Sequence, residues 1–246
     1  GKLDITAAKI LIGAAAPDAQ TLSVAPDQFQ SGGFSSYKLT GFYNTTLADG
    51  VDINPGADSF VIDPSRAFIQ PSGGGLGAVA SVSRLPVWQR PAASLELVAS
   101  GDQQPGRGLL IGTGSRIAVD PGAAVTLTSH SALDVFGSIN APAGTITISQ
   151  TSDLPGPPAV RIGNGAVLSA TGYFLPQPNR FGLVQGQVLR GGTIALSGAG
   201  SVLVDAGSPL DVSATSMTVQ VPGAGAAVSS FSTEVIYGDA GVVAMT

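Results

Sequence analysis

Six aspartates have the best claim to chemistry in this chain: Asp102, Asp120, Asp134, Asp153, Asp205 and Asp211. Glycosidic chemistry needs two carboxyl groups within about 5–10 Å of each other. Asp120 and Asp205 hold the same place in what reads as a repeated unit, just before a turn glycine. Asp is favoured there because its side chain bonds local backbone amides. Counted as four units apart, they lie about 19 Å from each other at the strand spacing of a sheet, too far to act as a pair. His130, in "TSHSALDV", is the only histidine, and there is no cysteine, so neither a multi-histidine nor a thiolate metal site can be assembled. No G-x-S-x-G elbow is present. The G-x-G pairs at 112–114, 163–165 and 198–200 lack both the third glycine and the helix of a dinucleotide loop. The glycine-aspartate nonapeptide that binds calcium is also missing. The sequence therefore calls for no cofactor, no metal and no catalytic residue. One glycosylation sequon, Asn44-Thr45-Thr46, is noted.

Binding chemistry is better represented. Trp88, the single tryptophan, stands between Arg84 and Arg90. Tyr173, Phe174, Arg180 and Phe181 form a second aromatic–cation group. Trp, Tyr and Arg dominate binding hot spots because they combine large contact area with directional hydrogen bonds. These seven residues are the candidate partner contacts, with a host glycan or surface protein as the fitting partner. The alternative is that the rings fold back and shield the core, since exposed aromatic surface is costly unless it is used. Both groups fall in irregular stretches, residues 66–94 and 171–182; a third is 150–158. Pro86 and Pro91 forbid a regular central strand in the first. All three read as loops on a repeated scaffold, where binding surfaces are often built.

The scaffold follows from composition and spacing. Of 246 residues, 43% are hydrophobic, 34 are glycine and 17 proline, while only 11% are charged. That balance, rich in Val, Ile and Thr, describes an all-β chain of many short strands. The net charge of −5 comes without a basic cluster, which argues against nucleic acid as a partner. No run of about 18 apolar residues occurs, so membrane insertion is not expected. The start, "GKLDITAAKILIGAAAP", reads as strand, and both ends look cut from the interior of something longer.

Glycines at 122, 144, 165, 186 and 207 are separated by 22, 21, 21 and 21 residues. Short alternating strands flank them: Ile117 and Val119, Val125 and Leu127, Leu133 and Val135, Ile146 and Ile148, Val202 and Val204. Upstream, "DINPGADSFVI" matches "AVDPGAAVTL", with Gly56 and Gly122 three units of 22 apart. A fixed period near 21 that carries about three strands is a solenoid signature. Stacked units can bury an alternating face that one unit cannot. The expected fold is a right-handed parallel β-helix, a single segment over residues 1–246. About ten coils would make a rod near 50 Å long. A β-sandwich would need hairpins between paired runs, and the only "NG", Asn164-Gly165, sits on the 21-residue register.

Four stretches together, "SGGFSSYKLTG" (31–41), "LADGVDINPGA" (47–57), "SRLPVWQRPAASLELVASGD" (83–102) and "GTGSRIAVDPGAAVTL" (112–127), resemble the large filamentous haemagglutinin-like exoproteins of Gram-negative bacteria, the secreted partners of two-partner secretion. The resemblance implies a long β-helical shaft that is an adhesin or carries one. It also implies export through an outer-membrane β-barrel transporter and a place at the cell surface or outside the cell. "NPG" at 54–56 reads as a turn of the shaft. The alternative function is a β-helical polysaccharide lyase or hydrolase, which would require a clustered acidic groove.

Overall fold

The computed structural model describes residues 1–30, 33–56, 58–69, 73–101, 107–152, 160–179, 182–222 and 231–246. It is all-β, with mostly parallel sheets in a nearly closed, barrel-like arrangement. The chain begins with β1 (Lys2–Ile12) and β2 (Thr21–Val24), then β3 (Ser36–Leu47) and β4 (Asp52–Ile53). A first excursion holds β5 (Asp58–Ile62), the short helix α1 (Pro64–Ile69) and β6 (Ala80–Arg84). Three sets of three strands follow. They are β7 (Ser94–Ala99), β8 (Gly108–Ile111) and β9 (Arg116–Ala118); β10 (Ala124–Ser129), β11 (Ala132–Val135) and β12 (Ser138–Asn140); and β13 (Thr145–Gln150), β14 (Val160–Ile162) and β15 (Val167–Ser169). A second excursion forms β16 (Tyr173–Pro176) and β17 (Gly186–Leu189). The set β18 (Thr193–Gly198), β19 (Val202–Val204) and β20 (Leu210–Asp211) comes next. A third excursion, β21 (Ser216–Pro222) and β22 (Phe231–Tyr237), precedes β23 (Val242–Met245).

Corresponding strands of successive sets pair in parallel, giving three ladders. The first runs β1, β3, β7, β10, β13, β18, β23. The second runs β2, β1, β3, β8, β11, β14, β19, with the C-terminal halves of β1 and β3, and the third β4, β9, β12, β15, β20. β3 belongs to two ladders because it turns a corner at Gly41, where a Cβ would collide with the Asn44 carbonyl. Buried Thr45 braces that corner, accepting from the Gly41 N–H at 3.1 Å and donating to the Val98 carbonyl at 2.6 Å.

Alternation sends every second side chain inward, and the parallel register places like over like. Leu39, Leu97, Leu127, Ile148 and Leu196 form one column, and Ile53, Ile117, Ile139 and Leu168 another; all are buried in a single core. The inward residues expected from the sequence, from Ile117 through Ile148, are buried. Val202, Val204 and Val212 are only partly covered, though they pack on the same core.

The 21-residue spacing does not describe the stacking. A step of 21–22 holds where β10 meets β13, with Val125 opposite Ile146, and where β9 meets β12, with Ile117 opposite Ile139. Elsewhere the step is longer: Ile146 pairs with Ile194, Leu109 with Leu133, and Ile53 with Ile117 directly. The excursions consume chain between stacked strands, so Gly56 and Gly122 are separated by one step of the third ladder, not three units. For the same reason the longest ladder is seven strands deep, about 29 Å at the usual spacing, rather than ten coils. Gly50, Gly114, Gly165 and Gly207 share the corner between second and third strands, each with φ between 67° and 86°. Gly122 sits at the next corner, between the third strand of one set and the first of the next. Asp120 and Asp205 therefore occupy different corners, not the same place. "QVL" at 187–189, assigned from the sequence to the repeat, belongs instead to the second excursion.

Candidate functional site

The three excursions leave the ladders at one corner. Each connects a strand of the third ladder to the next strand of the first: β4 to β7, β15 to β18, and β20 to β23. Each is an antiparallel hairpin, β5 with β6, β16 with β17 and β21 with β22. The first was expected as an irregular loop over 66–94. It starts earlier and is largely regular, because Phe60, Val61, Ile62 and Val82 favour strand whatever their depth. The second was expected over 171–182 and extends to Leu189. The third was not anticipated. Of the stretch 150–158, residues 153–158 lie outside the described part.

Arg84 and Arg90 root the first hairpin. Arg84 donates through Nη2 to the Asn54 Oδ1 and the Pro55 carbonyl, both at 3.0 Å. Its guanidinium lies where a Cβ on Gly56 would stand, so "NPG" at 54–56, expected as a turn, is the socket for this arginine. Arg90 donates to both carboxylate oxygens of Asp120, the Nε–Oδ2 distance being 2.8 Å, and to the Leu85 carbonyl. Arg84 approaches Asp120 to 3.7 Å. The Asp120 side chain is 9% exposed and that of Arg90 11%. Asp120 was read as a turn former, but its carboxylate is committed to this ion pair.

Of the second aromatic group, Tyr173 lies within electrostatic reach of Arg90 in the first. Asp120 pushes the Arg90 guanidinium above its ordinary value, and Tyr173 lies near enough to contribute. Trp88, on the turn between the arginines, is 40% exposed. Tyr173 and Phe174 are half-buried, and the Phe174 ring covers Gly186 on the opposing strand. Arg180 and Phe181 lie outside the described residues. Further along the edge the second and third hairpins are stitched together. Gln220 donates its N–H to the Val184 carbonyl at 2.8 Å, and its side-chain oxygen accepts from the Val184 N–H at 2.9 Å.

Apolar side chains crowd this edge. In the first hairpin Phe60 faces Val82 across the strands, and both point into solvent with Ile62, Phe68 and Ile69 beside them. The third hairpin exposes Met217, Phe231, Val235 and Tyr237. Thirteen of the twenty large hydrophobic residues exposed among the described residues belong to the three hairpins. A concentration of that kind is a mark of interaction surface rather than of scattered exposure. Of these residues sequence reasoning singled out Trp88 and missed the strand residues, whose alternation is that of buried strands.

The acids do not gather. Asp205 pairs with Arg161 at 2.8 Å, Asp211 caps Ser213, Asp134 stands half-buried on the second ladder, and Asp102 and Asp153 lie outside the described residues. Among the described residues no three His, Cys, Asp or Glu side chains are grouped to hold a metal ion. His130 is exposed, with Nδ1 3.3 Å from the Thr151 hydroxyl. In comparisons with known proteins, no family model, curated protein or solved structure matches this chain.

Proposed function

We propose that this chain is an adhesive shaft segment of a secreted exoprotein of the filamentous haemagglutinin-like kind, a right-handed parallel β-helix that presents hairpins to a partner. On this reading the full-length protein passes through an outer-membrane β-barrel transporter and stands at the surface of a Gram-negative cell. The observation that carries the reading is the division of labour between ladders and hairpins. Three parallel ladders with like residues stacked in columns supply a stiff support. Three hairpins on one corner supply the exposed aromatic and aliphatic surface. A repeat scaffold with binding loops on one side is the arrangement solenoid proteins use for recognition.

The experiment is adhesion of protein-coated beads to cultured epithelial cells. The wild-type protein will hold beads, and a triple variant Phe60→Ser, Phe68→Ser, Trp88→Ser will lose most of that adhesion with its melting temperature unchanged. Absence of adhesion by the wild type, or full adhesion by the folded variant, overturns the reading.

A further inference from the structure

A second surface lies away from the hairpins, on the outward side of the second ladder. Register fixes which residues meet there: Lys9 beside Asn44, Asn44 beside Gly108, and Gly108 beside Ala132. They line a groove. One part, of about 620 Å³, lies among Lys9, Asp18, Tyr43, Asn44 and Arg107. It continues into a part of about 250 Å³ over Gly108, Ala132 and Asp134, with Asn44 and Arg107 lining both. Gly108 has no side chain to raise the floor, and a Cβ there would strike the Ala132 carbonyl. Ala132 adds only a methyl. From β2 across to β11 the groove crosses five strands, about 19 Å at the usual spacing.

Its chemistry is specific. The Arg107 guanidinium lies over the Tyr43 ring, 4.2 Å from the centroid. Stacking holds the guanidinium plane and leaves its N–H groups pointing from the edge. Among the described residues no carboxylate pairs with Arg107 and no hydrogen-bond donor reaches the Asp134 carboxylate. The groove thus holds an unused donor array and a half-buried unused acceptor. Lys9 and Asp18 are paired at 2.9 Å at one end, so among the described residues the two cations and two anions lining the groove balance. With these charges in balance neither a polyanion nor a polycation gains net attraction along the groove, whereas a polyol meets donors and acceptors in equal supply. Leu11 and Leu110 offer apolar contact for the C–H faces of sugar rings.

We propose that this groove binds an uncharged, extended oligosaccharide, with ring hydroxyls on Arg107 and Asp134 and a sugar face over Leu11 and Leu110. The strand spacing is close to the length of one pyranose, so successive sugars meet successive strands. The proposal stands on a different side of the core from the hairpins and does not depend on their role.

The test is titration calorimetry of the whole chain with cello-, malto-, manno- and xylo-hexaose, with hexagalacturonate as the charged comparator. At least one neutral hexamer will bind. Arg107→Ala and Ala132→Trp will each weaken it tenfold or more, and Thr126→Ala, outward on the first ladder and away from the groove, will leave it unchanged. Ala132 is exposed and points outward, so Ala132→Trp fills the groove without entering the core and decides the matter should Arg107→Ala unfold. No binding by any neutral hexamer at millimolar concentration overturns the proposal. So does tighter binding of hexagalacturonate, or affinity for the neutral hexamer that survives Ala132→Trp.

Discussion

Asp120 is gripped by Arg90 through two hydrogen bonds and approached by Arg84 at 3.7 Å, so one carboxylate at a corner of the ladders anchors the exit of the first hairpin at two points. Both partners of the closer pair are almost fully covered. Removing one member of such a pair leaves a buried charge without compensation. Asp120→Asn is therefore expected to destabilise the fold by about 3 kcal/mol, read as a lowered urea midpoint. Glu96→Gln breaks the half-exposed pair with Lys38, 2.7 Å apart, and is expected to cost less than about 1 kcal/mol. Equal losses in the two variants would refute the anchoring role of Asp120.

The core columns set a second expectation. Leu127 is fully covered between Leu97 and Ile148, while Thr126 beside it faces outward. Leu127→Ala is expected to cost about 3 kcal/mol by lost burial and the cavity left behind. Thr126→Ala is expected to stay within about 0.5 kcal/mol. Chemical denaturation of both variants checks the inward–outward assignment along β10.

Two glycines separate backbone conformation from crowding. Gly122 has φ of 81° with open space where a Cβ would stand, so Gly122→Ala is expected to cost about 1 kcal/mol for the left-handed backbone alone. Gly192 has no such φ, but a Cβ there would collide with the Gly144 carbonyl in the strand below, just as one on Gly241 would collide with Gly192. Relief requires the ladders to separate. Gly192→Ala is therefore expected to cost more than Gly122→Ala, about 2–3 kcal/mol; a smaller loss would show that the ladders yield easily.

Asp134 sets a pH dependence. Burial raises its carboxyl above the ordinary value of 3.8, with Arg161 acting in the opposite direction. The folded chain then holds this proton when the unfolded chain has released it. Stability falls as pH rises from the unfolded value through the folded one, and the penalty is fully present above both. Asp134→Asn removes it. The variant is expected to melt higher than the wild type at pH 7 and to lose that advantage at pH 3, as followed by circular dichroism. A difference in melting temperature that stays constant across that range would mean titration of Asp134 has no part in it.

The sequence by itself determined the class of structure and much of its interior. Alternation at period two, in a chain with few charges and many turn glycines, leaves parallel stacking as the way to cover strands too short to bury anything alone. Ile117, Val125, Leu127, Ile146 and Ile148 were legible as core for that reason. The sequence also marked Arg84, Trp88 and Arg90 as one aromatic–cation group and Tyr173 as part of another. Only the tertiary structure decided how the strands were counted and where those residues went. A parallel ladder constrains which strands are neighbours but not how much chain is spent between them. A forty-residue excursion and a two-residue corner therefore produce the same stacking while destroying a fixed period. The first two excursions were legible only as irregular loops and the third not at all, because an exposed pair such as Phe60 and Val82 alternates as a buried pair does. The groove escaped because Tyr43, Arg107 and Asp134 come from three separate stretches, and only the register of the second ladder brings them onto one face.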